Sequence, residues 1–379
     1  MKEGWEYKKF VDVCNVQYGY AFDSKYFTDD ETAIPLIRIR DVVRGYSETF
    51  YNGDIPQGYT INEGDYLVGM DGEFNIGRWG KRAGLLNQRV CKFASSSLLL
   101  DNQFMYYFMK VCLKKIEDET PFVTVKHLSA KRINQIIIPL PPLSEQQAIV
   151  AELDKINEII DMKKTQLKDL DLLAQSVFYD MFGDPIDNPK GWKIKKYGEC
   201  FVIGSGGTPS KTVPEYWENG SVPWIGSNMC QNCFIYETDG KYITEEGLHH
   251  SSAKKLESGT VLVALVGATI GKVALLKTST STNQNIAFIK VNEAKSFVPE
   301  YVYYHLMGQY DEFMHIGNGD FKMANQAFIK SRSIMCPPLS LQQSFADKIE
   351  AIESQKSAIK QSLTEVETLL ASRMDYYFN

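Results

Sequence analysis

Pro141 to Phe182 reads PPLSEQQAIVAELDKINEIIDMKKTQLKDLDLLAQSVFYDMF, and this stretch decides the fold. Ser144 followed by Gln147 has the spacing of a capping box, which predicts a helix starting there, and Pro141 with Pro142 bars its extension backwards. Inside it Ile149, Leu153, Ile156, Ile160, Lys163, Leu167, Leu170, Ala174 and Val177 recur at alternating intervals of four and three. That is a heptad seam, too narrow for a helix laid on a sheet and suited to one long partner helix.

The chain supplies the partner at its other end. Pro337 to Asn379 reads PPLSLQQSFADKIEAIESQKSAIKQSLTEVETLLASRMDYYFN, the same pattern displaced by 196 residues. Ser340 and Gln343 repeat the capping box, and the seam continues as Phe345, Ile349, Ile352, Lys356, Ile359, Leu363, Val366, Leu370 and Arg373. Lys163 in one seam and Lys356 in the other stand at non-equivalent places, and a polar seam residue fixes register.

Outward from the helices, the chain is one unit written twice. Gly4-Trp5 is answered by Gly191-Trp192, Gly64 to Val68 by Gly259 to Val263, Asn87-Gln88 by Asn283-Gln284, Tyr106-Tyr107 by Tyr303-Tyr304, and Lys126 by Lys322. Each half closes with an apolar strand, Ile133 to Leu140 or Phe328 to Cys336, before the prolines and the long helix. A repeat this long is a tandem domain duplication, not a solenoid. The expected segments are 1–143, a first helix at 144–183, 184–336, and a last helix at 337–379. Gly183-Asp184-Pro185 to Gly191 is the helix stop and linker.

The globular segments read as strand-rich, with runs such as Ile34 to Arg40, Tyr66 to Met70, Ile235 to Tyr242, Val261 to Ala268 and Val273 to Leu276 punctuated by Gly, Asn, Asp and Pro. Helices are expected near 103–115 and 298–312, and the Tyr pairs on them belong to the core. The fold class is α+β: two similar strand-rich domains and two long antiparallel coiled-coil helices.

Composition sets the bounds. With 44% hydrophobic residues in 379, the chain can bury sizeable cores, and no apolar run approaches the roughly 20 residues of a membrane span. Seven cysteines, an odd number, point to a reducing cytoplasm. Cys230 and Cys233 form a lone Cys-x-x-Cys, and we expect buried thiols there and no metal. The net charge of -6 argues at first against nucleic acid. Yet Lys plus Arg balance Asp plus Glu at 18 against 18 in residues 1–143 and 15 against 15 in 184–336, so the acid excess sits on the helical segments. The globular segments are free to carry basic faces.

These residues carry a family resemblance. The PPLSEQQ and PPLSLQQ helix starts, the MFGDP and NPKGW linker, GGTPSK at Gly206 to Lys211, and Asn283-Gln284 after LVGATIGKVALL resemble the specificity subunits of Type I restriction-modification systems over essentially the whole chain. The resemblance implies two target recognition domains, each reading one half of a split double-stranded DNA word. It also implies helices that hold the domains apart and dock two methyltransferase subunits, with motor-nuclease subunits joining for restriction. S-adenosylmethionine, ATP and Mg would then belong to the partner subunits and none to this chain. A helix of about 38 residues spans roughly 57 Å, which at ~3.4 Å per base pair caps the half-site separation near 17 pairs. We expect an unspecified gap of about five to eight.

Candidate DNA contacts follow from residue type, since Arg pairs bidentately with guanine and Asn or Gln with adenine. In the first half they are Arg38, Arg40 and Arg44 along IRIRDVVR, then Asn75, Arg78, Trp79, Lys81, Arg82, Arg89 and Lys126. In the second they are Ser205, Thr208, Ser210 and Lys211 in a small flexible loop suited to phosphate, with Trp224, Ser227, Asn228, Gln231, Lys272 and Lys322. Asn87-Gln88 and Asn283-Gln284 read as structural, because both copies have them although their targets should differ.

Catalysis finds no support in the sequence. Asn188-Pro189 is followed by Lys190 and not by a methyltransferase motif, and no Walker loop occurs. Glu293-Ala-Lys295 has nuclease spacing without the upstream acid, and Asp161 with Lys163 lies on the seam helix. The chain reads as a non-catalytic DNA-specificity chain. The runner-up is a recognition chain of another DNA defence or modification complex, and the third reading is a coiled-coil scaffold binding protein or sugar.

Overall fold

In a computed structural model, which describes residues 4–80, 82–121, 126–291, 296–315 and 324–379, one strand order occurs twice. The chain divides into two units, Met1–Lys164 with Gln361–Asn379, and Thr165–Lys360. Both cuts fall inside the long helices Leu143–Phe182 and Leu339–Phe378, so each unit owns the first half of one helix and the last half of the other.

The first unit is built on an antiparallel sheet in the order Cys14–Tyr18, Val90–Ser95, Tyr66–Gly69, Ile76–Arg78. Beside it stands a second sheet in which Ile34–Ile37 runs parallel to Gly84–Leu86, pairing Leu36 with Leu85. Glu6–Lys9 pairs with Ile137–Leu140 to close the chain ends. Helix Asn102–Glu119 starts at Asp101, whose carboxylate accepts the amides of Gln103 and Phe104. It buries Phe104, Met105, Phe108, Met109 and Leu113 at the three-and-four spacing that keeps one face to the core.

The second unit repeats the plan. Val202–Ser205, Ile286–Lys290, Thr260–Ala264 and Val273–Leu276 follow the same order, with Cys233–Ile235 added parallel at the edge. Val222–Ile225 lies parallel to Ser281–Thr282 as its counterpart does, and Ile194–Lys196 pairs with Ser333–Met335. Helix Pro299–Met307 buries Tyr301, Val302, Tyr303, Tyr304, His305 and Leu306, so the Tyr pair is core, as is Tyr107 in the first unit. The linker glycines Gly183 and Gly191 both adopt positive φ, where only glycine is unstrained.

Several boundaries differ from expectation. The run Ile34 to Arg40 is strand only to Ile37, because Asp41 accepts the Arg38 amide at 2.9 Å and opens a short helix, Ile39–Arg44, that stops at Gly45 with φ 72°. Ile235 to Tyr242 is not one strand: Cys233–Ile235 and Tyr242–Ile243 are separated by a turn with Gly240 at φ 78°. Both closing strands are shorter too, preceded by helices Ala130–Ile133 and Gln326–Ser331 with Ser129 and Asn325 as caps.

The start of each long helix also corrects the reading. The helices begin at Leu143 and Leu339, so Ser144 and Ser340 lie inside the first turn and are not N-caps. The first glutamine of each motif, not the second, holds the start. Buried Gln146 donates to the carbonyls of Pro141 at 2.9 Å and Leu99 at 2.7 Å, and accepts the Asp101 amide at 2.9 Å. Gln342 does the same with Pro337, Ser296 and the Val298 amide.

Within each unit the helix halves run antiparallel. In the first, Glu152 binds the Arg373 guanidinium and Lys164 reaches Glu367 at 3.3 Å; in the second, Asp171 meets Lys356 at 2.7 Å and the Phe178 ring meets Phe345. The seam is not uniform. Ile149, Leu153, Phe345, Ile349 and Ile352 are buried because they also face globular cores; Ile149 and Leu153, for instance, share a cluster with Phe10, Phe104 and Leu113, while Ile156 and Ile160 are buried outside those clusters. Leu167, Ile359, Leu363 and Val366 are half-buried, as are Leu170 and Leu370, which pack against the edges of the two globular cores. Phe178 and Phe182, outside the heptad count, are fully buried.

Candidate nucleic-acid interface

In the first unit, a cleft of about 720 Å³ gathers residues from three separate segments: Arg38, Ile39, Arg40 and Val43 from the short helix, Glu73 and Asn75 from the turn before Ile76–Arg78, and Asn87, Gln88 and Arg89 before Val90–Ser95. Arg38, Arg40, Asn75 and Arg89 are therefore brought together. They lie not on one strand face but on the short helix and two sheet turns.

Bonds beneath the cleft anchor several of these residues. Asp41 is fully buried, accepts the Arg38 amide and the Ser47 hydroxyl at 3.1 Å, and faces Arg40 Nε at 3.7 Å. Burial holds its carboxyl above the ordinary carboxylate range, and the bonded Arg38 amide pulls the other way. Arg40 also donates to Thr49 Oγ1 at 3.2 Å. Arg89 is held in the left-handed region at φ 68°, and its guanidinium meets Asp71 at 3.2 Å. Asp71 also meets His127 Nδ1 at 2.5 Å. Such a backbone costs about 1 kcal/mol or more, and strain of this kind collects where a side chain must be aimed.

Other candidates in this unit are occupied elsewhere. Arg44 pairs with Glu48 at 3.3 Å, Arg78 packs over Gly64, and Arg82 donates to the carbonyls of Glu31 and Ala33. Lys126 Nζ donates to the Glu117 carbonyl at the end of the long helix of this unit. Trp79 corrects the reading outright: it is 1% exposed in a core cluster and its indole donates to the Arg82 carbonyl. Lys81 lies outside the described residues.

The second unit presents a different lining. Lys272 Nζ donates to Gln231 Oε1 at 2.7 Å and Gln231 donates to the Asn228 carbonyl at 3.1 Å, so these three form one surface network beside Ser227. Thr208 donates to Gln284, Ser205 Oγ accepts from Gln326 at 2.8 Å, and Ser210 meets Thr212 at 2.8 Å. Lys211 lines a small cleft with Pro214, Trp217 and Glu218. Trp224 is buried and donates to the Gly207 carbonyl at 2.9 Å, a core role. Nor is the glycine loop free. A Cβ on Gly206 would sit 2.1 Å from the Thr282 carbonyl oxygen, and one on Gly207 2.5 Å from the Ala253 nitrogen. These glycines serve close packing. Lys322, like Glu293 and Lys295, lies outside the described residues. Cys230 is buried in an apolar cluster that pushes its thiol up. Among the described residues no three His, Cys, Asp or Glu groups gather as a metal site.

Asn87 and Asn283 act within the backbone, Asn87 accepting the Gln88 amide and Asn283 the Asn285 amide. Gln88 and Glu73, by contrast, line the first cleft: Gln88 reads from the sequence as structural, and Glu73 is not among the candidates there.

Comparison with known proteins adds an independent line. The family model described as the Type I restriction modification DNA specificity domain matches residues 2–172 and again 189–368. The EcoBI specificity subunit of Escherichia coli is 39% identical over 168 residues, covering 44% of this chain and only 35% of that protein. The MjaVIII specificity subunit of Methanocaldococcus jannaschii is 24% identical over 78% of this chain and 73% of its own length. A solved chain of a type I R-M system shares the fold at TM-score 0.58 with 18% identity, covering 100% of this chain and 98% of its own. The S subunit from M. genitalium does so at 0.53 with 13% identity, covering 98% and 95%. With the domain model matched once in each half, the chain belongs to the Type I restriction modification DNA specificity family.

Proposed function

We propose that this chain is the DNA-reading, non-catalytic specificity subunit of a Type I restriction-modification complex, with each unit reading one half of a bipartite duplex target. The observation that carries this is one strand order occurring twice beneath two different surface linings. A repeated framework gives two modules of like geometry, and different side chains on it give two different words. In the first unit the reading face is the cleft of Arg38, Arg40, Asn75, Gln88 and Arg89. In the second it is the network of Lys272, Gln231 and Asn228 with the Thr208 to Lys211 loop. The half-buried helical seam sets the gap, and two methyltransferase subunits dock on the helices. The motor-nuclease subunits complete the assembly, and S-adenosylmethionine, ATP and Mg are held by those partners.

The test is to co-express the chain with its methyltransferase subunit in a methylation-free host and map modified bases by single-molecule sequencing. A two-part word with a fixed gap is expected, and removal of one heptad from each helix should shorten the gap. A stable complex that methylates without a two-part word would refute the proposal.

A further inference from the structure

The cleft of the first unit contains one carboxylate among its arginines. Glu73 lines it together with Arg38, Arg40 and Arg89, yet among the described residues Glu73 forms no ion pair. Its Oε2 instead accepts a hydrogen bond from Asn75 Nδ2 at 3.2 Å. A carboxylate facing a phosphate is repelled, so a backbone-binding cleft has no use for it. Facing a base edge it is selective, because the major-groove donors are exocyclic amines and a carboxylate pairs with the N4 amino group of cytosine.

We propose that Glu73 is a specificity-determining residue that accepts from the N4 amino group of a cytosine in the half-site read by the first unit. The inference rests on the reading of that cleft as a DNA-binding face. Asn75 acts as the positioning residue: its amide restrains the Glu73 carboxylate and leaves Oε1 for the base. A phosphate entering the same cleft at the wrong register meets Glu73 instead, so the carboxylate also disfavours sequence-independent binding.

The probe is a library of random-sequence duplexes, selected on the complex of the full chain with its methyltransferase subunits. Glu73→Gln is compared with wild type and with Glu63→Gln, an exposed acid that does not line the cleft. Wild type should enrich a two-part word with a cytosine in one half. Glu73→Gln should lower the preference for cytosine at that one position by about tenfold while leaving the other half unchanged. It should also raise affinity for unrelated duplex, which Glu63→Gln should not. If wild type enriches a word and Glu73→Gln enriches the same word with equal stringency at every position, the assignment of Glu73 is overturned while the DNA-reading function stands. If wild type enriches no word at all, the functional reading falls and this inference with it.

Discussion

Replacing Gln146 with Leu should loosen the first unit and leave the second untouched, and Gln342→Leu should do the reverse. Each glutamine makes three hydrogen bonds to backbone groups around the start of a long helix, two to carbonyls and one from an amide. One carbonyl in each set belongs to an exposed residue, Leu99 or Ser296, and can turn to water. The other two partners are left dry at about 1–3 kcal/mol each, so about 3 kcal/mol is expected per substitution. A chain of two units need not unfold in one step, so a single melting temperature is the wrong readout. Hydrogen exchange followed by mass spectrometry resolves the units. Amides of helix Asn102–Glu119 should exchange about 100-fold faster in Gln146→Leu, and those of Pro299–Met307 in Gln342→Leu. Gln147→Ala and Gln343→Ala, both at exposed positions, should change neither. If the second glutamine of the pair, or Ser144 and Ser340, costs as much as the first, the capping-box reading is right and this reasoning is refuted.

Three further outcomes are expected. His305 is fully buried, with Nε2 accepting the Met335 amide at 3.2 Å, so the ring proton sits on Nδ1 against Tyr197 Oη at 3.1 Å. Burial lowers its pKa from 6.5 to about 3, so between those values the unfolded chain binds the proton and the folded one does not. Stability of the second unit should therefore rise with pH across that window by up to about 1.4 kcal/mol per pH unit, and His305→Leu should flatten the slope in exchange measured against pH. Lys356 joins Asp171 to Glu353, which is 9% exposed. Lys356→Met should cost about 2 kcal/mol by stranding Glu353, and Lys356→Met with Glu353→Leu should recover most of it, as a double-mutant cycle in urea would show. Arg89→Ala should relax preference at one base pair by about 1–3 kcal/mol with little change in salt slope, whereas a phosphate contact would instead reduce the slope by about 0.9.

What was legible in the sequence is what repeats or has a period. The helices Leu143–Phe182 and Leu339–Phe378, the duplication, and the core places of Tyr107, Tyr303 and Tyr304 all follow from spacing or repetition along the chain. What was misread depends on partners far along the chain. Gln146 bonds to residues 45 and 47 positions earlier, and nothing in PPLSEQQ distinguishes that from a local cap at Gln147. Alternation in IRIRDVVR reads as strand, but one buried carboxylate at Asp41 turns the arginines onto a helix. Trp79 and Trp224 sit among cations and loops in sequence, yet packing takes both rings inside.

A glycine joint common to both units bears on how one framework could carry the two linings proposed to read DNA. A Cβ on Gly19 would lie 2.0 Å from the Asn87 carbonyl oxygen, and one on Gly206 2.1 Å from that of Thr282, so both units bring two backbones together at the same joint. Neither joint admits a side chain, and the Asn-Gln pair that begins at or just after it is fixed by its own backbone bonds. The surfaces of the two units differ: Arg89 and Glu73 line a cleft with Asn87 in the first, and Lys272 bonds to Gln231 in the second. Substitutions at exposed positions such as Glu73 and Gln231 typically change stability by less than about 0.5 kcal/mol. Exposed positions of the proposed reading faces can therefore diverge between the two copies at little cost to the fold that presents them.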